Sequence, residues 1–436
     1  MDNQRILISG ASVAGPALAW WLARYGFRPT VVERAPQLRG GGYAVDFRGP
    51  VHLSVLEQMG IGDQIRAAQT RLAATTYVDA DGQRTARMPA GIFAGDVEIL
   101  RGDLGQILFE ATTESTEYLF GDSITDLSQQ ADGVHVTFER AAPRVFDLVI
   151  GADGLHSQVR RLAFAGDPDP VRDLGLFVSI FPVADPCGLD HEGLLYSVPD
   201  RTAAIFSARQ PGQAVAQFFF AAPGISYDYT DAAQQRKILA DAFSGVGWQV
   251  PGLLSQLPAA PDFYFDSVSQ VHLDRWSAGR VALIGDAGYA AGPGGNGTGT
   301  AVVAAYVLAG ELAAAGGDYR VAFGRYEQRL RRYVARGQKQ ARGGRDFLAP
   351  ATAKKIRQRD RAFRMLARLP AEGLIRYLST RTATGIKLPS YETALGRAGD
   401  HRRTADPDDG AAHPAPRPRP AAVTVTPEPA RRPWSL

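Results

Sequence analysis

The stretch Ile6-Leu7-Ile8-Ser9-Gly10-Ala11-Ser12-Val13-Ala14-Gly15 decides the fold of this chain. Residues 5–9 form a short, mostly apolar run, which predicts a strand, and Gly10 lets the backbone turn sharply after it. Gly15 lets the following helix pack close to the strand, and Pro16 lies early in that helix, where its missing N–H is harmless. The free N–H groups at the start of such a helix attract a phosphate. The stretch therefore predicts a βα turn that binds the pyrophosphate of a dinucleotide.

A second strand carries the acid that such a turn requires. Residues 29–32 are predicted as a strand that ends at Glu33, which lies 23 positions after Gly10. A spacing of about 20 is typical of the carboxylate that holds a ribose hydroxyl. Ser12 takes the place of the middle glycine of the G-x-G-x-x-G pattern, so the turn alone leaves open an ordinary βα connection.

Two later fragments share one pattern, an apolar strand that ends in a glycine and a carboxylate. They are Asp147-Leu148-Val149-Ile150-Gly151-Ala152-Asp153-Gly154 and Val281-Ala282-Leu283-Ile284-Gly285-Asp286-Ala287. Together with the first stretch, they predict one extended cofactor that is held at several points.

The three fragments resemble the motifs of the class A flavoprotein monooxygenases, the family of para-hydroxybenzoate hydroxylase and of tetracycline-inactivating enzymes. Asp153-Gly154, with Ser157, Val159 and Arg160 after it, is similar to the D-G motif of that family. Gly285-Asp286 and the later Pro293-Gly294-Gly295 and Gly297 are similar to its G-D motif and flavin loop. The resemblance covers roughly residues 3–340. One departure is Tyr289, which stands where members of the family usually carry a histidine.

The resemblance implies a resident FAD, with NAD(P)H as a transient reductant. The reduced flavin would react with O2 to give a C4a-hydroperoxide, which passes one oxygen atom to the substrate. Asp286 would accept a hydrogen bond from the ribityl chain, Asp153 would serve the pyrophosphate, and Arg101 would contact the flavin or its phosphate. The alternatives are a helix cap for Asp286, a structural turn for Asp153 and an exposed salt bridge for Arg101. The predicted cofactor-binding residues are Gly10, Ser12, Val13, Ala14, Gly15, Glu33, Arg34, Arg101, Asp153, Asp286, Gly297 and Thr298.

Candidates for a direct part in catalysis come from two glycine-rich stretches. The first is the flavin loop with Pro293, Gly294, Gly295 and Gly297, where the helix that follows would direct its amides at the flavin ring. The second is the stretch of residues 40–49, from which Asp46 and Arg48 could project toward the flavin or the substrate. A surface loop that carries a local ion pair is the alternative for the second stretch.

Aromatic side chains on predicted antiparallel strands are candidates for a substrate pocket. Residues two positions apart on a strand share one face, as Phe218 and Phe220 do. The predicted pocket residues are Tyr196, Phe206, Phe218, Phe220 and Phe265. An aromatic core is the alternative for each of them.

Composition argues for an enzyme in the cytoplasm that acts on small molecules. The 436 residues carry a net charge of +3, which favours neither a nucleic acid nor an anionic membrane as a partner. The single Cys187 excludes an intramolecular disulfide, and we expect no metal site. Residues 1–4 are polar and the apolar run after them is short, so no signal peptide is expected. A monomer or a homodimer is expected.

The predicted fold is α/β, with a Rossmann-like FAD-binding domain interleaved with a mainly antiparallel substrate domain. The FAD-binding domain takes residues 1–75, 96–168 and 271–340, and the substrate domain takes residues 76–95 and 169–270. Residues 341–396 are predicted to be helical. Residues 397–436, rich in proline and charge, are predicted to be disordered.

The predicted function is an FAD-dependent monooxygenase that hydroxylates or otherwise oxygenates an aromatic or polyketide-like small molecule. Two alternatives stay open at this stage. One is a flavin-dependent reductase or dehydrogenase of the same fold, and the other is a non-catalytic scaffold that binds a nucleotide.

Overall fold

The structure is a computed structural model that describes residues 3–40, 42–88, 95–166, 169–368 and 380–391. The predicted disordered tail, residues 397–436, lies outside the described residues, as does part of the predicted C-terminal helical segment.

The described residues form eighteen β-strands and twelve α-helices. The strands are β1 (Arg5–Ser9), β2 (Arg28–Glu33), β3 (Ala44–Phe47), β4 (Ala74–Val78), β5 (Arg84–Met88), β6 (Val97–Leu100), β7 (Glu117–Phe120), β8 (Ile124–Gln130), β9 (Gly133–Phe138), β10 (Arg144–Phe146), β11 (Leu148–Gly151), β12 (Val171–Ala184), β13 (Glu192–Val198), β14 (Arg201–Ser207), β15 (Gln213–Phe220), β16 (Tyr264–Val271), β17 (Ser277–Ala278) and β18 (Val281–Leu283). The helices are α1 (Ala14–Arg24), α2 (Gly49–Gln58), α3 (Gly62–Ala67), α4 (Arg101–Glu110), α5 (Gln158–Ala163), α6 (Ala232–Ala242), α7 (Val250–Gln256), α8 (Asp286–Tyr289), α9 (Gly297–Ala314), α10 (Tyr319–Ala341), α11 (Gly344–Leu348) and α12 (Ala353–Leu366).

A six-stranded sheet in the order β17-β18-β11-β1-β2-β7 forms the centre of one half of the molecule. Its strands run parallel except β17, which pairs antiparallel with β18. The apolar residues 6–8 of β1 are fully buried between β11 and β2, as expected for a central parallel strand. The carboxyl ends of these strands meet at one edge of the sheet, so Ser9, Glu33 and Gly151 come to the same side.

A seven-stranded sheet in the order β16-β12-β15-β14-β13-β4-β5 forms the other half. Its pairs are antiparallel except for β13 with β4. Helices α6 and α7 cover one face, and Phe347 and Phe363, from α11 and α12, lie against the other. The predicted fold class is therefore confirmed. The residue boundaries of the two predicted domains stay predictions.

Helix α9 is buried over most of its length. Its 18 residues are apolar enough and long enough to cross a membrane by composition alone, but 78% of them are buried inside the protein. It packs against both α1 and α10, and its first turn lies beside the carboxyl edge of the parallel sheet. We read it as the core helix of this half.

Candidate functional site

The glycine turn after β1 is packed so closely that neither of its glycines has space for a side chain. Gly10 has φ +108°, and a Cβ on it would lie 2.5 Å from the Ala152 carbonyl oxygen. A Cβ on Gly15 would lie 1.9 Å from the Gly10 carbonyl oxygen. Helix α1 begins after Val13 with no side-chain cap, so its first amides are left for another acceptor. Ser12, Val13 and Ala14 thus surround a helix start that fits an anionic group.

Glu33 lies at the end of β2 and reaches back to this turn. One carboxylate oxygen accepts the Ala11 N–H at 2.8 Å, and the other accepts the Ala35 N–H at 2.8 Å. Each oxygen retains a lone pair that a ribose hydroxyl can use. Arg34 follows it on the rim of an open cleft of about 480 Å³ that the residues from Arg34 to Gly40 line together with Asp262.

Asp153 of the predicted D-G motif caps a helix instead of facing the cleft. Its carboxylate accepts hydrogen bonds from the Ser157 hydroxyl at 2.5 Å, the Gln158 N–H at 2.8 Å and the Val159 N–H at 3.1 Å. These three bonds satisfy the first turn of α5. These bonds favour the structural alternative for Asp153, and its cofactor contact stays a prediction.

Arg160 of the same motif ties it to the later G-D motif. Its buried guanidinium donates to the Ala287 carbonyl at 2.7 Å and to the Leu155 carbonyl at 2.6 Å. Two of the fragments that the sequence singled out are therefore joined directly.

Asp286 lines a small pocket with Gly297 and Thr300 at the start of α9, and Arg101 lies near enough for its charge to act on Asp286. We call the space beside these side chains the cofactor cleft. The Asp286 side chain is exposed to the space beside it, but protein surrounds that space. Burial raises the pKa of the Asp286 carboxyl, and the charge of Arg101 offsets part of this rise. The neighbouring Tyr43 is the main cause that raises the pKa of Arg101. Within the described part of the chain, neither the Asp286 carboxylate nor the Arg101 guanidinium has a hydrogen-bond partner. The two side chains are thus available to a ligand.

Two tyrosines that are not among the predicted site residues, Tyr43 and Tyr264, lie beside Arg101. The Arg101 guanidinium lies 5.6 Å from the ring centroid of Tyr43, and the Tyr43 and Tyr264 rings lie 5.9 Å apart. Burial raises the pKa of both hydroxyls, so both stay protonated at neutral pH. No local pattern marked them, because Tyr264 reaches the cleft only through the pairing of β16 with β12.

The predicted flavin loop leads into α9. Gly294 has φ +77° and Asn296 has φ +57°, so the chain turns tightly between Pro293 and Gly297. Helix α9 begins at Gly297 and Thr298 with no side-chain cap. The Asn296 side-chain N–H2 is buried and has no partner among the described residues. A buried donor without an acceptor costs free energy, which a bound ligand would recover.

Buried amides hold the backbone just before this loop. The Gln270 side chain donates to the Ala291 carbonyl at 2.8 Å, and the Gln338 side chain donates to the Ala290 carbonyl at 3.3 Å. Gly295 is packed so closely that a Cβ on it would lie 2.6 Å from the Cβ of Ala291. The loop is therefore held in place from behind.

Asp46 lies on β3, and Arg48 directly precedes α2. The Asp46 carboxylate and the Arg48 guanidinium form an ion pair. Glu98 faces Asp46 across the β3–β6 pair and accepts the Thr70 hydroxyl at 2.5 Å. Burial raises the pKa of Asp46, with Arg48 offsetting part of the rise. Burial also raises the pKa of Glu98. The ion pair is partly buried rather than set on a surface loop.

The five predicted pocket residues divide between the two faces of the seven-stranded sheet. Phe218 and Phe220 are fully buried against Phe243 of α6, at centroid distances of 4.8 and 5.9 Å. Phe265 joins the same cluster, and Tyr196 lies on that face 5.8 Å from Trp248. Their packing against α6 and α7 favours the core alternative, and their pocket role stays a prediction.

Phe206 lies on the opposite face, against Gly193 and the cluster that contains Tyr77 and Phe363. Its position follows from the pairing of Phe206 with Val215, which puts it out of phase with Phe218 on the neighbouring strand. Phe206 therefore faces away from the other four predicted pocket residues.

A further cluster joins the D-G loop to the seven-stranded sheet. His156 contacts the Asp266 carboxylate at 3.0 Å, and the Tyr227 hydroxyl donates to the same carboxylate at 2.5 Å. Tyr229 stacks on His156 with centroids 4.2 Å apart. No local sequence pattern predicts this contact, because His156 and Asp266 lie 110 positions apart in the chain.

Comparisons with known proteins give the following matches. The family model described as "FAD binding domain" matches residues 3–341. A flavin-dependent monooxygenase of Legionella longbeachae is 37% identical over 398 residues, which is 90% of this chain and 99% of that protein. An uncharacterised protein of Mycobacterium tuberculosis is 46% identical over 340 residues, 76% of this chain and 91% of that protein.

Solved structures are similar over most of the chain. The crystal structure of the tetracycline destructase Tet(51) gives a TM-score of 0.77 at 35% identity and covers 88% of this chain and 98% of that chain. Tet(55) gives a TM-score of 0.77 at 37% identity and covers 89% and 99%.

Proposed function

The chain belongs to the FAD-dependent monooxygenase family, and from that premise we propose that it oxygenates an aromatic or polyketide-like small molecule. The resemblance seen in the three motifs is confirmed by the family model and by the monooxygenase relatives. FAD is accordingly its cofactor, and the enzyme is an oxidoreductase that takes O2 and a small molecule.

The residues on the cleft fit FAD. The start of α1 beside the glycine turn has no side-chain cap, so its free amides suit a pyrophosphate, and Glu33 can take a ribose hydroxyl. Asp286 offers an acceptor for the ribityl chain, and the unpartnered amide of Asn296 offers a donor at the flavin loop. The observation that carries the proposal is that Asp286, Arg101 and the unpartnered side-chain amide of Asn296 lie in one region of the protein.

Bound FAD supplies the electrons and the activation of oxygen, and the chain has to bind it, orient it and exclude water. The uncapped start of α9 directs backbone N–H groups toward the cleft, where they would stabilise negative charge. Arg101 adds a fixed positive charge that the surrounding protein keeps from bulk water. Tyr43 and Tyr264 form aromatic walls beside it.

NAD(P)H is proposed as the reductant, and the cytoplasm as the place of the reaction. Among the described residues, the glycine turn after β1 is the one dinucleotide-binding turn of the parallel sheet, and FAD takes it. A nicotinamide nucleotide would then approach the flavin from solvent, without a sheet of its own. Comparing oxidation rates with NADH and NADPH decides which is used.

The substrate class rests on the aromatic cleft and on the relatives. Tet(51) and Tet(55), both described as tetracycline destructases, are alike to this chain over nearly their whole length. Polycyclic polyketides present flat, oxygen-rich rings, which two tyrosine rings and an arginine can stack on and hydrogen-bond. We infer a ring system of this kind as the substrate.

The proposal is tested with purified enzyme, FAD, NAD(P)H and a panel of phenols and polycyclic polyketides. Mass spectrometry should detect a product that has gained one oxygen atom, and isotopically labelled O2 should supply that atom. The variant Asp286→Asn should lose FAD and product together. The exposed carboxylate of Asp190 supplies the matched control Asp190→Asn, which should behave as the parent.

Two outcomes contradict the proposal. Oxidation of NAD(P)H with hydrogen peroxide as the sole oxygen product across the panel would favour the reductase alternative. A protein that stays colourless after reconstitution with FAD would favour the scaffold alternative.

A further inference from the structure

A histidine outside the predicted site lies directly behind the start of the flavin-loop helix. His52, on α2, has no exposed surface. Its ring packs edge-on to Phe47 with centroids 6.4 Å apart. A Cβ on Gly299, in the first turn of α9, would lie 2.1 Å from the His52 ring, so ring and helix backbone are in close contact. The imidazole therefore sets how near α2 and α9 can come.

Both nitrogens of the ring have partners, and these fix the tautomer. The Arg48 backbone N–H donates to Nδ1 at 3.1 Å, so Nε2 carries the proton. Nε2 lies 2.7 Å from the Tyr333 hydroxyl and donates to it. The Tyr333 hydroxyl in turn donates to the Ala383 carbonyl at 3.1 Å. The hydrogen bonds thus run in one direction, from Arg48 to Ala383.

The chain of contacts joins four separate segments behind the cofactor cleft. They are the β3–α2 connection with Arg48, the first turn of α9, the middle of α10 with Tyr333, and the segment of residues 380–391. His52 therefore contacts the first turn of α9 directly at Gly299, and its hydrogen bond to Tyr333 ties it to α10.

We propose that His52 is a positioning residue for FAD, which sets the distance between the start of α9 and the Arg48 segment. A buried imidazole costs more to desolvate than a hydrocarbon of the same size, and its two satisfied hydrogen bonds offset that cost. The imidazole also fixes the orientation of the ring, because it accepts a hydrogen bond from the Arg48 N–H and donates one to the Tyr333 hydroxyl, which a hydrocarbon cannot do. The amides of α9 that face the cofactor then keep a fixed place. The inference rests on FAD binding, which family membership establishes.

The test measures FAD affinity of the apoprotein by flavin fluorescence, with the melting temperature of each apoprotein recorded beside it. The variant Gly299→Ala forces a methyl group into the His52 ring and should weaken FAD binding about tenfold or more, the loss expected for one hydrogen bond to a charged ligand. The double variant Gly299→Ala with His52→Ala makes room for the methyl group but lacks both hydrogen bonds of the ring, so it should still bind FAD more weakly than the parent. Gly324, on the exposed face of α10 with open space around it, gives the matched control Gly324→Ala.

The variant Tyr333→Phe removes one hydroxyl and little volume, and it keeps the test decisive if Gly299→Ala fails to fold. It should weaken FAD binding by about threefold or more and shift the visible absorption of the bound flavin. Binding of FAD by the parent protein checks the premise separately.

Either of two results would overturn the proposal. The first is a parental FAD dissociation constant in Tyr333→Phe, with only the melting temperature lowered, which is the pattern of a residue that merely packs. The second is a double variant that binds FAD as tightly as the parent, which would show that the imidazole is not needed to position the start of α9.

Discussion

His52 should make the folded protein sensitive to mild acid. Burial, with a smaller contribution from the charge of Arg48, lowers the pKa of His52 from 6.5 to about 3. Between these two values the unfolded chain binds a proton at His52 and the folded chain does not, so the free energy of unfolding falls as the pH is lowered. At pH 8 the effect is negligible, and at pH 5 it amounts to about 2 kcal/mol, since each pH unit below 6.5 costs about 1.4 kcal/mol.

The assay is denaturant unfolding of the parent and of His52→Gln at pH 8 and at pH 5. Other titrating groups contribute equally to both proteins, so the comparison isolates His52. The parent should lose about 2 kcal/mol more than the variant over this interval. The variant itself should be less stable than the parent at pH 8, because Gln cannot reproduce both hydrogen bonds of the ring. An equal pH dependence in the two proteins would show that His52 is not held neutral, and the reasoning from its burial would be refuted.

Three further predictions follow from contacts described above. Gly15→Ala should abolish FAD binding in a chain that still folds in part, because its Cβ would lie 1.9 Å from the Gly10 carbonyl oxygen, and flavin absorbance after gel filtration measures this. Phe218→Ala should lower the free energy of unfolding by about 3–5 kcal/mol, as for other buried phenylalanines, while the KM for the substrate stays unchanged in steady-state assays. Asp153→Ala should cost about 1–2 kcal/mol in urea unfolding through loss of the α5 cap but leave the FAD dissociation constant within twofold of the parent, and a large loss of FAD affinity would restore the cofactor role predicted from sequence.

The cofactor-binding half of the fold could be predicted from sequence because its signals are local. Gly10 and Gly15 act on backbone atoms a few residues away, and the apolar run before each glycine is itself the buried strand. Asp286 follows an apolar strand in a motif that resembles the family's G-D motif, Arg101 is predicted through the same resemblance, and in the structure the charge of Arg101 acts on Asp286.

The substrate side could not be predicted in the same way because it depends on register. Phe206 and Phe218 look equivalent in sequence, yet the β14–β15 pairing puts them on opposite faces. Tyr264 meets Tyr43 across 221 positions of chain, and no spacing rule connects them. Asp153 shows the reverse case, in which a conspicuous acid turns inward to its own helix.

The order of strands in the parallel sheet has a consequence for synthesis on the ribosome. Strand β1 emerges first, but its neighbour β11 ends at residue 151, and β18, which covers β11, ends at residue 283. Five strands of the seven-stranded sheet, β12 to β16, are translated between β11 and β18. A nascent chain that has not reached β18 therefore exposes the unpaired edge of β11, a surface prone to wrong pairing. Completion of the FAD cradle must wait for the last third of translation, so ribosome stalling before β18 should leave a chain that depends on chaperones.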